Sequence, residues 1–480
     1  MIFSKNEWGQ FPLKLNKLVY DIAEVECLRS NYEEALSLTN TLYETVSDNY
    51  GKAKAAVLRI KILLLKGESY EYIIDNAVNS LKEIGFELSL EKDVVDSYVK
   101  EYVENFLQSN DKSRITEINS LPEISDEKQR LIVEMLSELL PVASQYYPQL
   151  YNYIQLRLFT ETLKFGTWIM SCKNVLACGE ILLSKAENIQ AAYNISKIAF
   201  QLIRKYNTVI FESECYFRFA TYISHWKIHY SEGVQYYDMA IKAGMEYGDL
   251  KQMSLAAMHK KLRNFYIGKP LDRCLAEIDC RTQNGSDYEI IEKNILLDIV
   301  KNTIQELRLP YCDDQEKLLL QSVTDTCDRS SICIFGQCNV FVHCILGNTG
   351  NANSWETFTD AYLEYGKGLF SMPDHYMFKS LLLIKQYEKE SQHDKGAIFD
   401  RLKEYLLILK EWAENCPANF SHKYYLTIAE VARIQNEPVE KIMQLYNLAL
   451  NSIRHDDFIH MKAFIYETIG EFWIGRYEEF

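Results

Sequence analysis

The chain has 480 residues, with 52 basic and 67 acidic side chains and a formal net charge of −15. This charge, with no compensating run of Lys or Arg, disfavours nucleic acid and anionic membrane surfaces as partners, because proteins bind both mainly by supplying positive charge. Only 9 Pro and 19 Gly are present, which favours long helices over a turn-rich barrel or sandwich.

The N-terminal region starts a series of helical repeats. It lacks the basic start and apolar run of a signal peptide, and no stretch of the chain reaches the ~20 apolar residues of a membrane span, so we expect a cytoplasmic protein. The first predicted helix ends at a turn formed by Ser30 and Asn31, and the next begins at Tyr32 with Ala35 in its first turn. A similar ending recurs at Gly67, 36 positions after Asn31, which is near the ~34-residue period of tetratricopeptide helix pairs.

Similar turns and periodic helices continue along the chain. Looser turns occur at Lys185–Asn188, His229–Gly233, Ile267–Pro270 and Gln435–Pro438. Apolar residues spaced three and four apart form one stripe of Ala192, Ile195, Ala199, Leu202 and Tyr206, and another of Ile442, Leu445, Ala449 and Ile453. One helix pair cannot bury such a stripe alone, so neighbouring pairs must stack. The sequence therefore predicts an all-α, tetratricopeptide-like α-solenoid of antiparallel helix pairs.

Two polar stretches predict linkers within this array, near 109–126 and 347–354, the second with Ser354 as a helix N-cap. They divide one continuous superhelix into N-terminal repeats at 1–108, central repeats at 109–346 and C-terminal repeats at 347–480. Residues 331–346 are rich in β-branched side chains, which suits a strand, but their length and surroundings favour a helix.

Motifs that carry chemistry are missing from the linear sequence. No P-loop, dinucleotide-binding, HExxH, GxSxG or protein-kinase motif occurs. The 12 Cys form no CxxC pair, and we interpret Cys333, Cys338 and Cys344, with His343, as side chains packed between helices. We therefore expect no catalytic site, no cofactor and no metal in this chain.

Two groups of histidines have the spacing or composition of a metal site, but in both cases we favour another interpretation. His225 and His229 have the spacing of a two-histidine metal site, but no third ligand is evident, and Trp226 between them favours a packed turn. His455 and His460 flank two acidic residues, and we interpret that polar cluster as a junction between helices.

Several stretches resemble the helical repeat region of multidomain signalling proteins that join a serine/threonine kinase-like domain, an AAA-type ATPase, helical repeats and often a GAF sensor with a histidine kinase. The stretches are Leu139–Ala143, Leu163–Gly166, Ile223–Lys227 with His225 and Trp226, Glu246–Asp249 with Gly248 and Asp249, Asn415–Tyr424 with Pro417, Asn419 and His422, and Ala429–Arg433 with Glu430. The resemblance extends from about Ala23 to Trp473, and its motifs are not catalytic. The kinase, ATPase, GAF and histidine-kinase parts have no counterpart here.

The resemblance implies a role in signal transduction, with the repeats coupling an ATPase switch to an output kinase and binding proteins or peptides, among them other domains of the same protein. The chain would then be a fragment, a split gene product or a free-standing relative, and its helix-like ending at Tyr477–Phe480 favours a fragment. Two other hypotheses stay open. One is a free-standing all-helical enzyme with a pocket inside the superhelix, and the other is a peptide-sensing regulator, although no basic DNA-recognition helix is evident.

Overall fold

The computed structural model describes residues 12–46, 48–108, 117–186, 188–274, 329–390, 395–454 and 457–478. In these residues the chain forms helices connected by turns, together with one isolated pair of β-bridge residues, Glu123 and Thr167. The predicted fold class, an all-α, tetratricopeptide-like α-solenoid of antiparallel helix pairs, is confirmed. The helix predicted over 331–346 is also confirmed, since Arg329–Ile345 is helical.

The chain divides into two compact units. Unit 1 comprises Met1–Ala186 and Lys197–Asn207, and unit 2 comprises Glu187–Ser196 and Thr208–Phe480. The three-part division predicted at 1–108, 109–346 and 347–480 stays a prediction. The linker predicted at 347–354 differs from the structure, because a tight turn at 346–348 is followed directly by a helix. Asn348 occupies the N-cap position of that helix, and Ser354 lies inside it.

Unit 1 consists of consecutive helices that pack against their neighbours in sequence. They are α1 (Pro12–Leu28), α2 (Tyr32–Thr45), α3 (Asn49–Lys66), α4 (Tyr70–Glu83), α5 (Lys92–Gln108), α6 (Glu127–Tyr146), α7 (Pro148–Phe165) and α8 (Ser171–Ala186). Short connections make α1 and α2, α3 and α4, and α6 and α7 antiparallel pairs, and α6 also packs on α3 and α4. Small side chains allow this close approach, since Ala23 of α1 and Ala35 of α2 are fully buried in one cluster with Leu58 of α3.

The helix ends in unit 1 follow from local chemistry. The predicted turn at Ser30 and Asn31 is confirmed, and Ser30 adopts the left-handed backbone conformation there (φ 63°). Asp48 begins α3 by accepting a hydrogen bond from the Gly51 N–H at 2.8 Å. Gly67 ends α3 with φ 78°, a conformation that glycine adopts without steric cost.

The polar stretch predicted as a linker near 109–126 is held in place over its described part, residues 117–126. The Thr167 N–H donates to the Pro122 carbonyl oxygen at 2.8 Å, and the Ile124 N–H donates to the Thr167 carbonyl oxygen at 3.0 Å. Gly166 makes this approach possible, because a Cβ atom there would lie 2.2 Å from the Pro122 oxygen. Residues 109–116 of the predicted linker lie outside the described residues.

Unit 2 contains the remaining helices, and α9 contributes residues to both units. They are α9 (Ile189–Tyr206), α10 (Glu212–Arg218), α11 (Tyr230–Tyr247), α12 (Leu250–Ile267), α13 (Arg329–Ile345), α14 (Thr349–Asp360), α15 (Met372–Lys389), α16 (Lys395–Asn415), α17 (Pro417–Ile434), α18 (Val439–Asn451) and α19 (Ile459–Glu478). Pairs α11 and α12, α13 and α14, and α17 and α18 pack closely. The buried positions of the two predicted stripes are Ala192, Ile195, Ala199, Leu202, Ile442, Ala449 and Ile453. The other two positions, Tyr206 and Leu445, are partly buried, so the predicted period is confirmed.

Candidate functional site

The connection between α10 and α11 places two predicted residues in the interior of unit 2. Residues Phe219–Ile223 form a π-helical turn, which is followed by a 3-10 turn at Ser224–Trp226. His225 and Trp226 are both buried. His229 lies beyond this turn and caps α11, where its Nδ1 atom accepts a hydrogen bond from the Ser231 N–H at 3.3 Å. The two histidines therefore do not share a helix face: His225 packs inside the 3-10 turn, and His229 caps α11.

Asn419 of α17, which is distant in sequence, holds this connection in place by hydrogen bonds. Its Nδ2 atom donates to the carbonyl oxygens of His225 at 2.6 Å and of Ile228 at 2.8 Å. Its Oδ1 atom accepts from the Tyr230 N–H at 3.0 Å. Pro417 precedes it in the first turn of α17, where the missing N–H costs no helical hydrogen bond. One buried amide thus satisfies three main-chain groups about 190 residues away.

Substitution of Asn419 by Ala is expected to destabilise the protein by about 3 kcal/mol, because two buried main-chain groups and one partly buried main-chain group lose this partner. Urea unfolding followed by circular dichroism measures this change. Asn447→Ala is the matched control, since Asn447 is exposed on α18 and its loss should change stability by less than about 0.5 kcal/mol. Equal stability of the two variants would contradict the fastening role of Asn419.

Arg263 of α12 carries a buried cation beside the same connection. Its side chain donates to the Ser224 Oγ atom at 3.1 Å and the Ala220 carbonyl oxygen at 2.6 Å, and it lies 3.3 Å from the His225 Nδ1 atom. The guanidinium also faces three aromatic rings, of Tyr230, Tyr237 and Phe370, at 4.9 to 5.4 Å. Burial lowers the pKa of Arg263, and the aromatic faces and oxygen acceptors partly replace water around the charge.

Gly233 provides the space for this cation. A Cβ atom at Gly233 would lie 2.2 Å from the Arg263 Nη1 atom and 3.1 Å from the Ser224 Oγ atom. Burial, followed by the nearby Arg263 charge, holds the pKa of His225 well below its usual range. The imidazole is therefore neutral, which suits Nδ1 to accept a hydrogen bond from the guanidinium.

A fully buried ion pair joins α15 and α17. The Lys423 Nζ atom lies 2.7 Å from the Asp374 Oδ1 atom, and the two side chains are 0% and 1% exposed. The same ammonium lies 3.2 Å from the His422 Nε2 atom and faces the Phe458 ring at 5.1 Å. Burial raises the pKa of Asp374 and lowers the pKa of Lys423, so each partner depends on the other to remain charged.

Besides His422, the imidazoles of His229 and His460 lie in this part of the interior. His422 and His229 both pack on the Phe458 ring, at centroid distances of 4.7 and 5.5 Å. Burial lowers the pKa of His460 to about 3 and that of His422 well below its usual range. In the part of the chain that the structure describes, no group of three or more His, Cys, Asp or Glu is arranged to hold a metal ion. His455 lies outside that part.

The cysteine group lies along α13 in the same unit, with Cys333 and Cys338 buried and Cys344 partly buried. Burial raises the pKa of the Cys333, Cys338 and Cys344 thiols to about 12 in each case. The Cys338 Sγ atom lies 3.6 Å from the Tyr266 hydroxyl. The Cys333 Sγ atom packs against Gly366, where a Cβ atom would lie only 2.6 Å from the sulfur. The thiols pack between helices, as the sequence indicated.

The other residues named in the stretches that resemble the repeat region, Gly248, Asp249 and Glu430, lie apart from this junction. Gly248 ends α11 with φ 84°, and Asp249 begins α12 by accepting a hydrogen bond from the Gln252 N–H at 3.1 Å. Glu430 of α17 accepts hydrogen bonds from Arg433 at 2.9 Å and from the Tyr446 hydroxyl. The structure thus brings His225, Trp226, Asn419 and His422 into one buried polar junction, next to Pro417, and gives the other three residues local roles.

Sequence reasoning missed Arg263, Asp374 and Lys423, which carry the charges of the junction. Their signal was present but weak: each is a charged residue on a helix that has apolar neighbours on the same face. Charged residues are almost never fully buried unless they are paired or otherwise compensated, so such positions indicate a partner elsewhere in the fold.

Unit 1 offers a solvent-open groove built from three consecutive helices. Helix α2 contributes Ser37, Asn40 and Thr41, α3 contributes Arg59, and Tyr72 comes from α4. The groove has a volume of about 480 Å³. One of its walls is fixed by the Arg59 side chain, which donates to the Tyr72 hydroxyl at 3.2 Å. Acidic and basic side chains both line the groove, a surface suited to polar recognition.

These features define an all-α protein of the solenoid-like class, made of stacked antiparallel helix pairs. No protein-family model matches the chain, and no curated protein matches it significantly. None of the helices that the structure describes has both the length and the apolar character needed to cross a membrane.

Proposed function

We propose that this chain is a non-catalytic protein-interaction and signal-coupling solenoid, of the kind that serves as the repeat region of a large ATPase/kinase signal-transduction protein. The groove across α2, α3 and α4 is the observation that carries the proposal. Stacked helix pairs present such concave, multi-helix surfaces to extended ligands. The resemblance of the sequence to the repeat region of these signalling proteins supports the same function.

The chemistry of the groove favours a protein or peptide ligand. Asn40 and Thr41 offer donors and acceptors to a peptide backbone. Lys66 is partly exposed and pairs with Glu33 at 2.9 Å and with Glu68 at 2.8 Å, and a charged ligand can replace its contact with the exposed Glu33. Exposed ion pairs are worth little in water, so opening one costs less than the contacts that replace it. A peptide with polar side chains of both charges fits this lining.

The buried junction of unit 2 supports the coupling part of the proposal. Asn419 and the Lys423–Asp374 pair tie α17 to the start of α11 and to α15. If α17 rotated or slid by part of a helical turn, buried polar groups would lose their partners, which costs about 1–3 kcal/mol for each group. The joined helices therefore move together, and a shift imposed on one is transmitted to the others.

The proposed partners are other domains of the same signalling protein, and the proposed location is the cytoplasm. The net charge of −15 supports protein partners over nucleic acid or an anionic membrane, because neither polyanion is attracted to an acidic chain. The reduced state expected for the many free, buried cysteines fits a cytoplasmic location.

Crosslinking of the full chain to its partners tests the proposal. The chain is used as bait in its native host extract, and captured proteins are quantified by mass spectrometry for two matched variants. Asn40→Arg fills the groove from an exposed position, and Asn447→Arg places the same side chain on exposed α18 of unit 2. We expect Asn40→Arg to lower capture of an ATPase or kinase protein at least tenfold, with Asn447→Arg unchanged. Capture of no such protein, or equal loss in both variants, would overturn the proposal.

A further inference from the structure

A second recess of unit 1 lies between the turn after α4 and the helices α6 and α7. Its volume is about 560 Å³, within the range of small-molecule sites. Phe86, Ile132 and Phe165 give it apolar surface, and Gly85 in the left-handed conformation (φ 76°) turns the chain along one edge. This cleft is separate in residues from the groove across α2, α3 and α4.

Glu161 of α7 is the unusual member of the cleft. Its side chain belongs to a residue that is only 8% exposed, yet it lines the cleft. No hydrogen bond or ion pair connects Glu161 to any residue that the structure describes. A largely buried carboxylate without a partner is unfavourable, and such groups concentrate at binding sites. The Gln129 Oε1 atom, in a side chain that lines the same cleft, is fully enclosed and has no hydrogen-bond partner.

Arg157, a cation that acts on this carboxylate, does not form an ion pair with it. Arg157 is fixed elsewhere, because its Nη1 atom donates to the Tyr153 hydroxyl at 2.9 Å and to the Glu87 carbonyl oxygen at 3.2 Å. Its guanidinium also stacks on the Phe86 ring at 4.6 Å. Burial raises the pKa of Glu161, against the opposing influence of the nearby Arg157 and Lys164 charges.

Two exposed lysines complete the lining of the cleft. Lys128 lies in the first turn of α6 and Lys164 in the last turn of α7, and neither forms an ion pair with a described residue. Lys128 reaches over the turn, since its Nζ atom lies 3.6 Å from the Cβ position of Gly85. Free ammonium groups at the rim attract an anionic group, while the carboxylate in the floor attracts a cationic one.

The combination selects a ligand that carries both charges. A simple anion such as phosphate would meet the Glu161 carboxylate, and a simple cation would meet Arg157 and the rim lysines; like charges at contact distance are unfavourable in both cases. We propose that this cleft binds an amino acid or short peptide in its zwitterionic form, with the ammonium group on Glu161, the carboxylate at Lys128 and Lys164, and an apolar side chain against Phe86. This site goes beyond the proposed coupling function and does not depend on it.

Calorimetric titration of the full chain with the dipeptide glycylleucine tests the site. Two blocked forms, N-acetyl-glycylleucine and glycylleucine amide, each lack one of the charges. We expect the dipeptide to bind and each blocked form to bind at least about tenfold more weakly, because each loses one charged hydrogen bond to the cleft.

Substitutions assign the two charges to residues. Glu161→Gln keeps the shape of the side chain and should abolish the preference for the free dipeptide over its N-acetyl form. Lys128→Gln combined with Lys164→Gln should abolish the preference over the amide. Lys100→Gln, at an exposed position on α5, should change neither preference. Circular dichroism of each variant confirms folding.

Absence of dipeptide binding, or binding that Glu161→Gln leaves unchanged, would overturn the site. The result is independent of the groove, because Asn40→Arg is expected to leave dipeptide binding intact while it lowers partner capture. Failure of one proposal is therefore distinguishable from failure of the other.

Discussion

Replacement of Lys423 by Met is expected to lower the free energy of unfolding by about 3–5 kcal/mol, the usual cost of leaving one partner of a buried ion pair without the other. Asp374 is 1% exposed, and its Oδ2 atom already lacks a partner, so once the ammonium is gone its carboxyl group must either stay charged without an ion-pair partner or take up a proton, and both are unfavourable at neutral pH. Urea unfolding at neutral pH, monitored by circular dichroism and fluorescence, measures the loss.

Two controls separate charge from packing. The double variant Lys423→Met with Asp374→Leu removes both charges and is expected to recover most of the lost stability, because an apolar pair of similar size often replaces a buried ion pair without cost. Lys403→Met removes a partner of the exposed Lys403–Asp400 pair and should cost less than about 1 kcal/mol. A loss for Lys423→Met no larger than that for Lys403→Met would contradict the uncompensated charge.

The helical repeats were predictable because their determinants are local. Gly67 ends a helix through its own backbone freedom, and Ala35 allows close approach through its own size. The apolar stripe through Ala192 and Leu202 likewise needs no information beyond residues three and four apart. Because these signals are local, the fold class can be predicted without any long-range contact.

Linkers were harder to predict because polar composition does not distinguish a free segment from one held by backbone hydrogen bonds. Residues 117–126 look like a linker, yet Lys205 donates to the carbonyl oxygens of Asn119 and Leu121 at 3.2 and 3.0 Å. Lys205 lies more than eighty residues away in the sequence. The contact therefore has no local signature, and composition alone indicated flexibility.

In the candidate sites, too, residues in recognisable local stretches were predictable, and residues defined by long-range contacts were not. Short stretches that resemble a known repeat region supplied His225, Trp226, Asn419 and His422, and the structure places them together. The Lys423–Asp374 pair joins residues 49 positions apart, and no periodicity predicts which charged residues meet in the interior. Glu161 was missed for a related reason, since an unpaired buried carboxylate is recognisable only when the burial of its helix is known.

Acidification is expected to destabilise the protein between pH 6.5 and 5.5 through its buried histidines. Burial lowers the pKa of His375 and His460 to about 3, and it holds the pKa of His225 and His422 well below the usual range. The same side chains in the unfolded chain take up protons near pH 6.5. The unfolded state thus binds more protons than the folded state in this window, and stability must fall as pH falls.

The size of this effect follows from the number of groups. Each histidine contributes a loss of about 1 kcal/mol over that interval, so four contribute about 4 kcal/mol. Carboxyl groups whose pKa is raised by burial, such as those of Glu134 and Glu161, act in the opposite sense, because a folded state that protonates first gains stability as pH falls.

Urea unfolding at several pH values between 5.5 and 6.5 gives the slope that decides the matter. His422→Gln removes one of the four groups, so its slope should be smaller by nearly one proton equivalent, about 1.2 kcal/mol per pH unit at the acidic end. The absolute stability of this variant is irrelevant, since only the slope reports proton uptake. A flat profile for the unmodified chain, or an unchanged slope in His422→Gln, would show that these imidazoles are not held neutral by burial.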